Sequence, residues 1–195
     1  MIMAAAPPRF ARWARALGVL TFILLAGCAG RANQVMLPDL TTLAPAPKRM
    51  ERLIIESADH NQELVGVIQH DHDSLRMALL SPQGQRLLTL VMDSDGPRFL
   101  PEALFKPPFS AHWLASRLAW TLWPIDELEN QFQHSAWSVR QDDSGHSVYH
   151  RGRKVASIKL ADQCKLIDDV QTGHRLYIIP IELAGQNKEL LCPAV

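Results

Sequence analysis

Cysteine, charge imbalance and long apolar runs are all scarce in this sequence. Its 195 residues contain only three Cys, which excludes a disulfide-dense scaffold. Twenty Lys and Arg balance twenty Asp and Glu, whereas a nucleic-acid-binding protein needs a basic excess to contact phosphates. No apolar run reaches the roughly 18 residues of a transmembrane helix. Because 47% of the residues are hydrophobic, the sequence predicts a folded protein of about one domain, with no nucleic-acid partner.

Recognisable catalytic motifs are also missing. The sequence has no Gly-x-Ser-x-Gly nucleophile elbow, no phosphate-binding loop and no Cys-x-x-Cys pair. We therefore predict no enzymatic activity and no cofactor. One compact cluster of metal-type ligands is present, His70-Asp71-His72-Asp73, in which His70 and His72 would lie on one side of a strand. Two ligands do not complete a zinc site, so a polar turn is the favoured interpretation and no metal is predicted.

The N-terminus has the features of a bacterial lipoprotein signal peptide. Arg9, Arg12 and Arg15 precede the apolar stretch ALGVLTFILLAG, which has the size of a secretory h-region and is too short to remain as a spanning helix. The stretch ends in Leu-Ala-Gly-Cys, which resembles a lipobox with its cleavage site directly before Cys28. The alternatives are an ordinary signal peptide, or a core helix followed by a chance cysteine.

The lipobox resemblance implies a membrane anchor. It implies that residues 1–27 are removed and that Cys28 carries a diacylglyceryl thioether and an acylated amine. More than one acyl chain is needed for stable anchoring, because a single acyl chain holds a protein in the bilayer only marginally. Ala29 stands where an Asp would signal retention at the inner membrane, so the implied location is the outer membrane, facing the periplasm. Cleavage removes three Arg and no acid, leaving seventeen Lys and Arg against twenty Asp and Glu. No polybasic stripe remains to bind anionic headgroups.

We divide the mature chain into a lipidated tether, residues 28–48, and one β domain, residues 49–195. Pro38, Pro45 and Pro47 interrupt the tether, which has no regular hydrophobic period and is expected to be extended. The β domain contains apolar runs of strand length separated by Pro, Gly, Asn and Asp. The predicted strands are Met50–Ser57, Glu63–His70, Leu75–Leu80, Arg86–Met92, Ala136–Gln141, Ser147–Arg151, Lys154–Leu160, Lys165–Gln171 and Arg175–Leu183. Pro180 within the last run predicts an edge strand or a bulge.

Between the two groups of strands, the sequence predicts an irregular loop over Pro97–Pro108 and then a helix. Ser110 is a suitable N-cap for this helix, and Pro124 ends it. Ile125–Phe132 can add a short helical segment. The predicted fold is mainly β (α+β): a strongly curved antiparallel sheet of about nine to eleven strands, covered by one main helix.

Aromatic residues are concentrated around the predicted helix. Leu114 and Leu118 fall on one stripe of it, and Trp113 and Trp120 fall on an adjacent stripe. The wider aromatic group consists of Phe99, Phe105, Phe109, Trp113, Trp120 and Trp123. It either forms the core, as a helix that fills the concave face of the sheet, or lines a cavity and covers it as a lid. A lid that closes a cavity would satisfy both interpretations.

The stretch LRMALLSPQGQRLLTLVMDSDG resembles the central hairpin of the LolB family of outer-membrane lipoprotein receptors. The order of elements over residues 50–183 is compatible with that family. The chain also resembles a family of small lipoproteins often encoded beside genes for aryl-polyene or fatty-acid-like biosynthesis. The LolB resemblance implies that the curved sheet is an open half-barrel whose inner face binds acyl chains. It also implies a periplasmic carrier protein as a partner.

Residues for such a cavity can be assigned. The expected lining consists of Leu88, Leu90, Met92, Phe105, Trp113, Leu114, Leu118 and Trp120. In the LolB family the hairpin tip carries an exposed Leu, which is thought to be needed for passing lipoproteins into the membrane. The corresponding tip here is Pro82-Gln83-Gly84, and an amide loses hydration on entering hydrocarbon at a cost of about 1–3 kcal/mol. The departure at Gln83 argues against an insertion step and does not affect the cavity.

Cys164 and Cys192 remain once Cys28 is acylated. In an oxidising periplasm two such residues often pair. However, a hairpin centred on Gly173 would place Cys164 opposite Glu182, so the tail would have to fold back. A disulfide and two buried free thiols both remain open.

Three functional hypotheses follow. The favoured one is an outer-membrane-anchored periplasmic lipoprotein that binds acyl or polyene lipids, or lipoprotein acyl chains, and aids their delivery to the outer membrane. The alternative is a structural or assembly lipoprotein that docks a partner protein through the apolar loop Pro97–Phe109. The third is a hydrolase or metal-dependent enzyme that uses His70 and His72.

Overall fold

The computed structural model describes residues 35–59, 61–101, 107, 109–183 and 192. In these ranges the chain forms ten strands and two α-helices. The first group of strands is β1 Ala46–Glu56, β2 Asn61–His70, β3 Leu75–Leu80, β4 Arg86–Met92 and β5 Arg98–Phe99. The helices are α1 Ala111–Leu122 and α2 Ile125–Phe132. The second group of strands is β6 Trp137–Asp142, β7 Gly145–His150, β8 Arg153–Ala161, β9 Cys164–Asp169 and β10 His174–Pro180.

All ten strands belong to one antiparallel sheet in the order β5-β4-β3-β2-β1-β10-β9-β8-β7-β6. The two groups of strands are meanders that meet where β1 pairs with β10, for example Leu53 with Ile178. The edge strands β5 and β6 are joined through the helices and are not paired with each other. The sheet is therefore open, and the predicted fold class is confirmed.

The predicted strands were found with small shifts of their ends, but three details were wrong. Strand β10 lies in the centre of the sheet, between β1 and β9. Pro180 is its last residue and lies beyond the final β9 pair, Ile178 with Lys165, so its missing N–H is not needed for that pairing. The same register places Cys164 near Ile179 and not near Glu182. Within the predicted irregular loop, Arg98–Phe99 pairs with β4.

Helix α1 begins and ends as its sequence predicts. The Oγ of Ser110 accepts a hydrogen bond from the backbone N–H of Trp113 at 3.1 Å, which satisfies one of the free donors at the helix start. Pro124 follows the C-cap residue Trp123. Residues 114–120 are all buried, because this helix packs against the sheet and contributes to the main hydrophobic core. No helix in the described ranges is both long and apolar enough to cross a membrane.

The described part of the predicted tether packs on the β domain and is not an extended segment. Val35, Leu40 and Leu43 are buried in the main core. The indole N–H of Trp123 donates to the backbone oxygen of Asp39 at 3.2 Å and to Thr42 Oγ1 at 3.1 Å. Strand β1 itself starts at Ala46. The domain therefore begins before residue 49, and the prolines interrupt a docked segment; residues 28–34 lie outside the described residues.

A smaller apolar cluster lies apart from the main core. It consists of Ile54, Cys164, Leu166, Tyr177 and Ile179, with Cys192 packed against them. Cys164 and Cys192 form a disulfide, with their Cα atoms 5.0 Å apart. The tail thus returns to the sheet at Cys192, which decides between the two alternatives left open by the sequence.

Candidate functional site: an apolar cavity under helix α1

A cavity of about 190 Å³ lies between helix α1 and the central strands of the sheet. Its walls come from five strands, from the turn between β9 and β10, and from one side of the helix. The lining residues are Leu53, Ile55, Ser57, Gln62, Leu64, Met77, Leu79, Phe109, Trp113, Leu114, Arg117, Leu118, Ile167, Asp169, Thr172, His174, Leu176 and Ile178.

The lining follows the twofold repeat of the strands. Leu53 and Ile55 on β1 and Leu176 and Ile178 on β10 line the cavity, because alternate side chains point to the same face of a sheet. The intervening Ile54 belongs to the smaller cluster. The alternation that forms the core thus also builds the cavity wall.

Gly66 on β2 allows two lining residues to approach the sheet closely. A Cβ at this position would lie 2.8 Å from Met77 Cε and 3.1 Å from Leu53 Cδ1. Both side chains occupy the space that a larger residue would fill. The shape of the cavity near β1, β2 and β3 therefore depends on the missing side chain.

A buried ion pair forms the polar part of the lining. Arg117 on α1 donates from Nε to Asp169 Oδ2 at 2.8 Å, and its Nη2 donates to the same oxygen. Their side chains are only 5% and 3% exposed. Asp169 Oδ1 accepts from the backbone N–H groups of Gln171 and Thr172, each at 3.1 Å. The pair connects the helix to the end of β9.

Two indole rings flank the guanidinium. The Cζ of Arg117 lies 4.6 Å from the ring centre of Trp113 and 4.4 Å from that of Trp120, within the range of cation–π attraction. Burial lowers the pKa of Arg117, and the neighbouring Asp169 opposes this shift. An arginine remains protonated in proteins, so the cavity holds one fixed positive charge beside its carboxylate.

Two further lining residues carry buried polar atoms without a hydrogen-bond partner among the described residues. These atoms are Nε1 of Trp113 and Nδ1 of His174. His174 pairs with Asp169 across β10 and β9, so it lies next to the ion pair. Buried polar atoms are nearly always paired. The cavity thus combines apolar walls with a polar region that a bound molecule could satisfy.

The structure brings together only some of the residues predicted for the cavity. Trp113, Leu114 and Leu118 line it. Four other predicted residues, Leu88, Leu90, Met92 and Trp120, are buried in the main core and are not in the lining. Three of them lie on β4, which is separated from the central strand β1 by β3 and β2. Phe105 lies outside the described residues.

The aromatic group divides between the two predicted roles, the core and the lining of a cavity. Trp120 and Trp123 are core residues, whereas Phe109 and Trp113 line the cavity with ring centres 5.0 Å apart. Phe99 packs edge-on against Phe109 at 6.4 Å. One side of the helix therefore packs in the core, whereas Phe109 and Trp113, at the start of the helix, line the cavity.

Sequence reasoning missed Arg117, Asp169 and His174 as site residues. One signal was available, since Arg117 interrupts a wide apolar arc on its helix. A charged residue on a buried helix face needs a partner. Nothing in the sequence identified Asp169, which lies 52 positions away, as that partner.

The His70-Asp71-His72-Asp73 cluster does not form one side of a strand. Strand β2 ends at His70, which is buried, and His72 is exposed in the following turn. Asp71 Oδ1 accepts from the backbone N–H of Asp73 at 2.9 Å and of Ser74 at 2.7 Å. The carboxylate thus caps the turn. No group of three or more metal-type ligands gathers within the described ranges.

The hairpin tip Pro82-Gln83-Gly84 is exposed. Gly84 has φ of +84°, a conformation that other residues adopt only with strain, and its N–H donates to the backbone oxygen of Ser81 at 2.9 Å. This tip lies between β3 and β4 and contributes nothing to the cavity lining.

Comparison with known proteins adds a family. The model of a family described as "Protein of unknown function (DUF3261)" matches residues 48–182, a segment that contains both helices and nine complete strands. No curated protein matches the chain.

Proposed function

The chain belongs to this DUF3261 family, and we propose that it is an outer-membrane lipoprotein whose cavity binds the apolar chain of a lipid, or of an acylated protein, during delivery to the outer membrane. The observation that supports the proposal is the apolar cavity between the sheet and helix α1. A recess lined mainly by apolar side chains with a few polar groups is typical of sites for small apolar ligands.

The size of the cavity limits what it can hold in this conformation. An engineered cavity of about 150 Å³ lined by apolar residues stays dry and binds benzene. At about 190 Å³, the present cavity can hold a short segment of an alkyl chain. A longer chain needs helix α1 and Phe109 to move outward, which is the lid role considered for the aromatic group.

The docking alternative has less support. It requires apolar side chains of the loop Pro97–Phe109 to face solvent. Phe99 and Phe109 are instead partly buried against the main core, and residues 102–106 and 108 lie outside the described residues. We therefore favour a role in chain binding over a role in assembly.

A photoactivatable fatty acid methyl ester, which carries no charge, tests the proposed function. Membranes that contain the full chain are illuminated with the methyl ester of a diazirine fatty acid, and labelled peptides are identified by mass spectrometry. We expect saturable labelling of cavity-lining strands, removed by excess unlabelled methyl ester. Labelling that does not saturate, or that avoids these strands, would contradict the proposal.

A matched pair of variants sharpens this test. Leu176 lines the cavity, whereas Leu87 is equally half-buried against the core without lining it. We expect Leu176→Trp to reduce competed labelling at least tenfold, since the indole fills the cavity. Leu87→Trp should leave labelling within about twofold of wild type.

The anchor has its own test. We expect Cys28→Ser to prevent acylation and release the protein from membranes, as measured by palmitate incorporation and fractionation. A bilayer holds an acylated protein through the buried CH₂ groups of its chains. We expect Ala29→Asp to keep acylation and retain the protein at the inner membrane. Unchanged fractionation of Cys28→Ser would remove the lipoprotein part of the proposal.

A further inference from the structure

The unsatisfied hydrogen-bonding groups that helix α1 places in the cavity, on Arg117 and Trp113, are donors. Arginine has five N–H donors. Nε and one N–H of Nη2 donate to Asp169, and one N–H of Nη1 donates to Ser116 Oγ at 2.9 Å. One N–H on each Nη is left without an acceptor among the described residues. The indole N–H of Trp113, whose ring the guanidinium contacts, also has no acceptor there.

The acceptor in this region is fully used. Asp169 Oδ2 accepts twice from Arg117, and Oδ1 accepts from two backbone N–H groups. The carboxylate therefore has little remaining capacity to accept a hydrogen bond from a ligand. A molecule that satisfies the donors of Arg117 and Trp113 must bring an acceptor oxygen. Nδ1 of His174 can accept or donate, according to its tautomer, and does not change this requirement.

The charges of the lining decide what kind of oxygen fits. Arg117 and Asp169 are the charged pair of the lining and cancel each other. His174 lies beside this pair. A ligand carboxylate would place a second negative charge near Asp169. No unpaired Lys or Arg of the lining would offset the free-energy cost of removing that charge from water. A carbonyl oxygen accepts the same hydrogen bonds without this cost.

From this juxtaposition we infer that the ligand is an uncharged acyl compound, an ester or an amide, whose carbonyl oxygen accepts hydrogen bonds from Arg117 and Trp113 while its alkyl chain lies on the apolar walls. The inference rests on the proposed function and specifies its ligand class. Esters occur in glycerolipids and polyene lipids, and amides occur in N-acylated proteins, so the carbonyl is the chemistry that these sources share.

Competition against the photoactivatable methyl ester tests the inference on the full chain in membranes. The unlabelled competitors are methyl octanoate, N-methyl octanamide, octanoate and nonane. We expect the ester and the amide to compete at about threefold to tenfold lower concentration than nonane, as one or two hydrogen bonds predict. Octanoate should be weaker than the ester. The order of the ester and the amide then indicates the natural source.

Two variants separate hydrogen bonding from packing. Trp113→Phe keeps an aromatic ring and removes one donor, so we expect it to reduce the advantage of the ester over nonane. Trp137→Phe, at a half-buried ring outside the lining, should not. The double variant Arg117→Met with Asp169→Leu replaces the ion pair by apolar residues, an exchange that proteins often tolerate. It should abolish the preference for the ester while nonane still competes.

The outcomes are distinguishable. Equal competition by ester and nonane, or stronger competition by octanoate, would overturn the inference and leave chain binding intact. An unchanged ester preference in Trp113→Phe and in the double variant would also overturn it. If the photoactivatable probe shows no saturable labelling, the proposed function itself fails, and the inference fails with it.

Discussion

Arg117 and Asp169 show why one buried ion pair differs from the ion pairs at the surface. Both side chains are almost fully removed from water, so each depends on the other for its hydrogen bonds. Asp168 precedes Asp169 on β9 and pairs with Arg175 on β10. The side chains of Arg175 and Asp168 are 46% and 34% exposed, and the pair is 3.6 Å apart. Water can replace either partner of that exposed pair, which it cannot do for Arg117.

Removing one partner should therefore cost very different amounts of stability at these two neighbouring positions. We expect Asp169→Asn to lower the free energy of unfolding by about 3–5 kcal/mol, because it leaves the Arg117 charge buried without its counterion. Asp168→Asn should cost less than about 1 kcal/mol. Urea denaturation of the two variants measures the difference. Equal losses would contradict the role assigned to the buried pair.

Strand β2 illustrates how an element shapes the site without contributing chemistry. Gly66 lies within the strand, where glycine is usually unfavourable by about 0.5–1 kcal/mol. Met77 and Leu53 occupy the space above it. The missing side chain therefore sets how far these two cavity walls stand from the sheet.

We expect Gly66→Ala to displace the end of Met77 into the cavity. Competed labelling by the methyl ester probe should fall several-fold. The free energy of unfolding should change by only about 1 kcal/mol, since the nearest atoms that the new Cβ meets, Met77 Cε and Leu53 Cδ1, are the ends of side chains that border the cavity. Adding Met77→Leu removes the clashing Cε and should restore labelling. Loss of labelling that Met77→Leu does not restore would contradict this account.

The whole molecule buries several histidines, which couples its stability to pH. Burial lowers the pKa of His70, His112, His146 and His150 below the ordinary value of 6.5. His146 is the most instructive of these residues, because it is only 5% exposed and a hydrogen bond to the backbone of Trp120 only opposes the effect of burial.

The sign of the pH dependence follows from these directions. The unfolded chain protonates its histidines near pH 6.5, while the folded protein keeps them neutral to a lower pH. The unfolded state therefore binds more protons in that window, and stability falls as pH decreases. We expect the free energy of unfolding to be highest above pH 6.5 and to decrease towards pH 5, as measured by urea denaturation.

Two variants assign this dependence to buried histidine. His146→Gln should flatten the curve between about pH 6.5 and 5, whereas His72→Gln, at an exposed turn position, should leave it unchanged. Glu63 and Asp93 accept hydrogen bonds from Arg52 and Arg98, which hold the pKa values of both carboxyl groups low. The stability that these carboxylates contribute is therefore lost only in more acidic solution. A curve that is flat above pH 5 would contradict the prediction.

The sequence by itself determined the elements of this protein. Alternating apolar residues marked the strands, with β3 and β4 predicted to the residue, and Ser110 and Pro124 marked the two ends of α1. These features were predictable because they depend on neighbouring residues: a strand repeats every two positions, and a cap bonds within one turn. The antiparallel sheet followed from their order, and its open form was implied by the LolB resemblance.

Only the tertiary structure decided which residues meet. The pairing of β1 with β10 places Leu53 and Ile178 in one wall of the cavity. The cavity therefore lies at the centre of the sheet and not at β4, where the sequence analysis had placed part of its lining. Arg117 and Asp169 are 52 positions apart, and no local pattern relates them. A cavity is the space left between distant segments. Its position and shape therefore depend on the strand register, on how the sheet curves and on where the helix packs against it. A local sequence pattern specifies none of these.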